Sequence, residues 1–147
     1  MDWWEVAKDF ADDGALRDIY VFGTSAREWQ AIYDAVRVTY PVVLHGNGNL
    51  PGDVRGLRDW EEVPTLTVDP DGMSINCHFF GEQEVEFDLA PNLITSQADL
   101  DRVCQFLTVV GRAAGKDAVL TMENCPDWII LRYDVRSGTV AGGRAEP

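Results

Sequence analysis

Ile75-Asn76-Cys77-His78-Phe79-Phe80, then Gly81-Glu82-Gln83, then Glu84-Val85-Glu86-Phe87-Asp88-Leu89 is the stretch on which the fold turns. Apolar Ile75, Cys77 and Phe79 alternate with Asn76, His78 and Phe80, and Val85, Phe87 and Leu89 alternate with Glu84, Glu86 and Asp88. A period of two on both sides of a short glycine-led turn predicts two antiparallel strands with one buried and one outer face. If the apolar sets share the inner face, register places His78 opposite Glu86 and Asn76 opposite Asp88. An acidic ladder of Glu84, Glu86 and Asp88 with one imidazole in it is then expected on the outer side.

Working outward, Thr65–Val68 reads as a preceding strand, joined through the turn Asp69-Pro70-Asp71-Gly72. Ser96 and Asp99 stand at capping-box spacing before Leu100, Val103, Cys104, Leu107 and Val110, a long amphipathic helix expected to end at Gly115. Ala118–Met122 and Trp128–Val135 read as two further strands, with Glu123 to Pro126 turning between them. Upstream, Ser25 and Glu28 form another capping box ahead of the stripe Trp29, Ile32, Tyr33 and Val36. Leu16–Phe22 and Tyr40–Leu44 read as strands, and Asp2 and Glu5 open a short N-terminal helix over residues 3–11.

This order predicts an α+β domain: an antiparallel sheet of about six to seven strands, two main helices packed on one face, and the short N-terminal helix. Strands with one polar face suit antiparallel pairing better than a doubly wound parallel sheet. Residues 1–136 read as one domain, and the Gly- and Ala-rich segment 137–147 as a flexible tail. The long stretch from His45 to Glu62 carries Gly46, Gly48, Pro51, Gly52 and Gly56 and reads as a mobile loop, with room for a helical turn near Val54–Trp60.

The totals bound the function. In 147 residues there are 25 acidic and 12 basic side chains, a formal charge of −13. Such a surface repels phosphate backbones and anionic bilayers, so neither nucleic acid nor membrane is an expected direct partner, whereas basic proteins are. Solubility alone is the other reading of the charge. Cys77, Cys104 and Cys125 lack C-x-x-C spacing and lie in or beside apolar runs, which predicts buried, reduced thiols. The first residues show no signal peptide and no run long enough to span a bilayer, and the chain is expected in the cytoplasm.

Three readings of the ladder stand side by side: an ordinary solvated outer face, a patch for a cationic partner, or a metal or acid–base site formed by His78, Glu86 and Asp88. A metal site needs three or four convergent ligands, and the sequence places only these three together. His45-Gly46-Asn47-Gly48-Asn49 lacks the lysine and helix start of a phosphate-binding loop. There is no G-x-S-x-G and no H-E-x-x-H, so no catalytic residue and no cofactor is implied. Trp3, Trp4, Trp60 and Trp128 sit beside acids, an arrangement typical of aromatic anchors at interfaces. Trp60, with Glu61 and Glu62, joins His78, Glu84, Glu86 and Asp88 as candidate contact residues.

With those segments, the capped helix and Leu120-Thr121-Met122-Glu123-Asn124 in place, residues 1–135 resemble small acidic immunity proteins, encoded beside polymorphic or contact-dependent bacterial toxins. The resemblance implies an antidote that occludes a toxin, usually one to one, through an acidic surface with aromatic anchors. Many such toxins are basic nucleases, which the −13 charge would suit. An acidic nucleic-acid mimic or regulatory adaptor acting on a basic protein is the alternative, and a small metal-dependent enzyme using His78, Glu86 and Asp88 a second.

Overall fold

Helices in this chain begin where a side chain can accept the backbone N–H groups that a first turn leaves without partners. The computed structural model of the protein describes residues 1–45, 50–58, 65–79 and 81–143. Asp2 and Glu5 form the reciprocal capping box of α1 (Trp3–Val6), which continues as a 3₁₀ turn over Ala7–Phe10. Ser25 and Glu28 do the same for α2 (Ala26–Thr39). The helical turn expected near Val54–Trp60 is α3 (Arg55–Arg58). At α4 (Gln97–Ala114), Ser96 Oγ accepts the Asp99 N–H, and Gly115 ends the helix in the left-handed conformation (φ 64°). That conformation carries no Cβ penalty at glycine.

Eight strands form one sheet: β1 (Arg17–Phe22), β2 (Val42–His45), β3 (Thr65–Val68), β4 (Ile75–His78), β5 (Glu84–Leu89), β6 (Ala118–Met122), β7 (Cys125–Asp134) and β8 (Thr139–Gly142). Their order across the sheet is β2-β3-β4-β5-β1-β6-β7-β8, and every neighbouring pair is antiparallel. The α+β architecture stands, with eight strands in place of six to seven. The additional strand is β8, which pairs with Leu131–Asp134 inside the segment expected to fray as a tail. Its following Gly143 lies so close to Ile129 that a Cβ there would fall 2.1 Å from the isoleucine methyl Cγ2. Glycine serves close approach at this position.

The core lies under one face of the sheet. Ile19 and Val21 of β1, Cys77 of β4, Val85, Phe87 and Leu89 of β5, and Leu120 and Leu131 of β6 and β7 are all buried. Over them pack Trp29, Ile32, Tyr33 and Val36 of α2, and Leu100, Val103, Phe106, Leu107 and Val110 of α4. Phe106 meets Phe87 edge to face, with centroids 5.1 Å apart, and Trp29 stacks on Phe79 at 5.1 Å. Full burial of side chains of this size is worth about 1.5–3 kcal/mol each. The indole N–H of Trp29 donates to the Glu82 carbonyl at 3.1 Å, which ties the β4–β5 turn to α2.

Arg17, on the same inner side at the end of β1, is only 1% exposed. Its guanidinium donates to the Asp9, Ala11, Ala15 and Leu16 carbonyls and pairs with Asp13. The charge is thereby satisfied, as burial requires, and the loop leading into β1 is held in place.

Candidate functional site

With α2 and α4 on the inner face, the residues of the opposite face follow from register; at its centre Asp18, Tyr20, Val119 and Thr121 are buried, and the more accessible positions are His78, Glu84, Glu86 and Phe22. Directly opposed residues of antiparallel strands project to the same side. β4 against β5 pairs Asn76 with Asp88 and His78 with Glu86, as the sequence predicts. β1 then adds Asp18 opposite Asp88, Tyr20 opposite Glu86 and Phe22 opposite Glu84. On the far side of β1, Thr121 and Val119 continue the rows, and Arg132 of β7 lies opposite Val119. Val85, Phe87 and Leu89 face the core, while Glu84, Glu86 and Asp88 are half-buried on the outer side.

A directed chain of hydrogen bonds crosses four strands of this face. The hydroxyl of Thr67 donates to Asn76 Oδ1 (3.0 Å), so it can only accept from His45 Nε2, 2.7 Å away. The Asn76 amide in turn donates to Asp88 Oδ1 (3.2 Å), and His78 Nε2 bonds to Asp88 Oδ2. Every donor points toward Asp88. The histidine partner therefore differs from the expected one: His78 lies opposite Glu86 but bonds diagonally to Asp88. Diagonal neighbours two residues along the adjacent strand are within reach of long side chains.

Next to Asp88 lies Asp18, only 4% exposed. It accepts the hydroxyl of Tyr20 at 3.0 Å and the backbone N–H of Asn124 at 2.7 Å. Asn124 takes a positive φ of 54°, which makes a tight turn of Glu123-Asn124. Pro126, expected in that turn, belongs to β7 instead. Asp18 thus holds the β6–β7 turn onto the outer face.

Charge and burial interact here. The hydrogen bond to Asp88, followed by the field of Asp88, Glu86 and Asp18, raises the pKa of His78 above the usual imidazole value against an opposing effect of burial. Burial, with Asp18 and Glu84 adding repulsion, raises that of Glu86. Tyr20 is raised by burial and by its bond to Asp18. Glu84 and Glu86 have no hydrogen bond or ion pair among the described residues, whereas Asp88 and Asp18 are both engaged internally.

Aromatic surface borders the ladder. Phe22 stacks on Tyr20 with centroids 5.0 Å apart and planes 17° off parallel, yet 45% of it is exposed. It also lines a groove of about 690 Å³ with Lys116, Asp117, Val119, Arg132 and the Pro126–Asp127 wall. Arg132 pairs with Asp117 at 3.2 Å. Trp128, 52% exposed, stands on the far side of that wall, and Trp4 is 85% exposed at the N-terminus. Trp29 is core, and Trp3 stacks on Phe10 at 6.0 Å.

Of the contact residues expected from the sequence, His78, Glu84, Glu86 and Asp88 come together on one surface. Trp60, Glu61 and Glu62 lie outside the described residues, as does the Gly46–Asn49 loop segment. Of the three thiols expected in the core, Cys77 is buried and Cys104 half-buried, but Cys125 is exposed where β7 leaves the turn. Among the described residues no three His, Cys, Asp or Glu side chains form a group able to hold a metal ion. None of the described helices is long and apolar enough to cross a membrane.

Asp18, Tyr20 and Phe22 escape sequence reasoning. The one signal that could have drawn attention is Asp18 itself, a carboxylate inside an otherwise apolar strand, where burial demands partners. Compared with protein-family models, curated proteins and solved structures, the chain has no match.

Proposed function

We propose that the protein is an immunity-type inhibitor that neutralises a basic toxin by docking it on the outer face of the sheet. One observation carries the reading: Glu84 and Glu86, carboxylates with no ion pair among the described residues, stand on a helix-free sheet face beside the half-exposed ring of Phe22. A carboxylate kept half-buried among other acids is unfavourable for the isolated fold, and a cationic partner removes that cost by supplying the missing counter-charge. The exposed part of Phe22, backed by the buried ring of Tyr20, offers apolar area at low entropic cost, the feature typical of interface anchors. The −13 net charge would steer a basic partner into the encounter, with an association rate that falls as salt rises.

The test is co-expression with the product of the adjacent gene. That product should arrest growth alone and be tolerated with the wild-type protein. Protection should fail when Glu84→Lys and Glu86→Lys are introduced together into a chain that still folds. A harmless neighbour, or protection that survives both reversals, would end the proposal.

A further inference from the structure

We infer that this docking surface selects arginine over lysine, with a partner guanidinium lying on the Phe22 ring and donating to Glu84 and Glu86. The inference rests on the reading of the outer face as the seat of a cationic protein, and narrows the chemistry of that partner.

Three observations point the same way. First, ring and carboxylates are neighbours: Phe22 lies directly opposite Glu84, and Tyr20 opposite Glu86. Opposed residues of this kind hold their Cβ atoms about 4.5–5.5 Å apart. Register thus sets both carboxylates on the strand beside the Tyr20–Phe22 stack. Second, the acceptors are available. Asp18 and Asp88 are committed to Tyr20, Asn124, Asn76 and His78, while Glu84 and Glu86 make no hydrogen bond among the described residues. Third, the molecule contains an internal example of the same contact. The Arg37 guanidinium carbon lies 4.0 Å from the centroid of the Tyr33 ring while Nη2 donates to Asp34 at 2.6 Å.

A planar guanidinium can stack on a ring and donate in its own plane to a carboxylate at once; a compact ammonium cannot do both. Among the described residues, the cations nearest the ring in the groove are already placed elsewhere. Arg132 is paired with Asp117, and Lys116 lies on the groove side of Phe22.

The experiment titrates the full-length protein with acetylated octa-arginine and octa-lysine peptides at equal ionic strength, followed by calorimetry. The wild type should bind octa-arginine about two- to fivefold more tightly than octa-lysine, the range for an exposed cation–π contact. Phe22→Leu should weaken octa-arginine more than octa-lysine, so that the two affinities converge. Phe22→Tyr, which keeps an aromatic face, should retain the preference. Thermal melts establish that each variant is folded. Equal affinities in the wild type, or a preference that survives Phe22→Leu, would overturn the inference. If both peptides bind equally and both weaken in the Glu84→Gln/Glu86→Gln variant, arginine selectivity falls while cationic docking stands. If neither binds, both fall.

Discussion

Glu86→Gln should make the protein more stable and a poorer binder. In the native sheet Glu86 has Glu84 and Asp88 two residues away on its own strand, and Asp18 beyond Tyr20 on β1. His78 opposite is a favourable neighbour, but that ring is bonded to Asp88. Burial first, then Asp18 and Glu84, hold the Glu86 pKa above the ordinary carboxylate value. Because the folded-state pKa is raised, the native state binds this proton more tightly than the unfolded chain. Stability is therefore lost as pH rises from the unfolded value of 4.5 through the folded one. Glutamine keeps the shape and removes the charge. Like charges in cross-strand contact cost a few tenths to about 1 kcal/mol, so the substitution should recover roughly that amount at pH 7. For a domain of this size the melting temperature should rise by about 1–4 °C. Denaturant titrations at pH 7 and pH 3.5 provide the assay. The gain should be present at pH 7 and absent at pH 3.5, where wild-type Glu86 is itself protonated. A variant no more stable than wild type at pH 7, or a gain of equal size at both pH values, would refute the electrostatic argument.

Asp88→Asn should remove the pH dependence that His78 confers. Its raised pKa means stability fully present below about pH 6.5 and lost as pH climbs through the folded value, so the wild-type denaturation midpoint should fall over that range more than the variant's. Gly111→Ala should destabilise by about 1–3 kcal/mol, because the new Cβ would fall 2.1 Å from Cδ1 of buried Tyr133, and overpacking outweighs the ~1 kcal/mol gained in helix propensity. A melting point equal to wild type would mean that α4 does not press on β7 as described. In the native protein a thiol reagent should modify Cys125 rapidly, while Cys77 and Cys104 react only on unfolding. Burial raises both thiols, Cys104 to about 11, and mass-mapped labelling reads the order of reaction.

Much of the fold was legible because local signals agreed. The glycine-led turn after Phe79 and strict alternation on both sides put His78 opposite Glu86 without knowledge of the rest of the sheet. Ser25, Ser96 and Gly115 likewise marked helix ends through local hydrogen bonding. What stayed hidden was long-range. Nothing within Arg17–Phe22 says that this strand inserts between β5 and β6, which is what places Asp18, Tyr20 and Phe22 beside the ladder. Phe22 reads only as the end of a strand; alternation combined with that pairing turns it outward beside Glu84. Pro126 reads as a turn because proline often ends strands, but positive φ at Asn124 closes the hairpin two residues earlier. Gly143 lies against Ile129, a long-range contact that the local Gly-rich composition does not announce.

The central claim is that one face of the sheet receives the partner, and backbone hydrogen exchange on the complex with the adjacent gene's product measures it directly. Protection gained on binding should concentrate in Glu84–Leu89 and Arg17–Phe22, with the exposed sides of α2 and α4 unchanged. Protection confined to the helices, with those two strands exchanging as in the free protein, would contradict it.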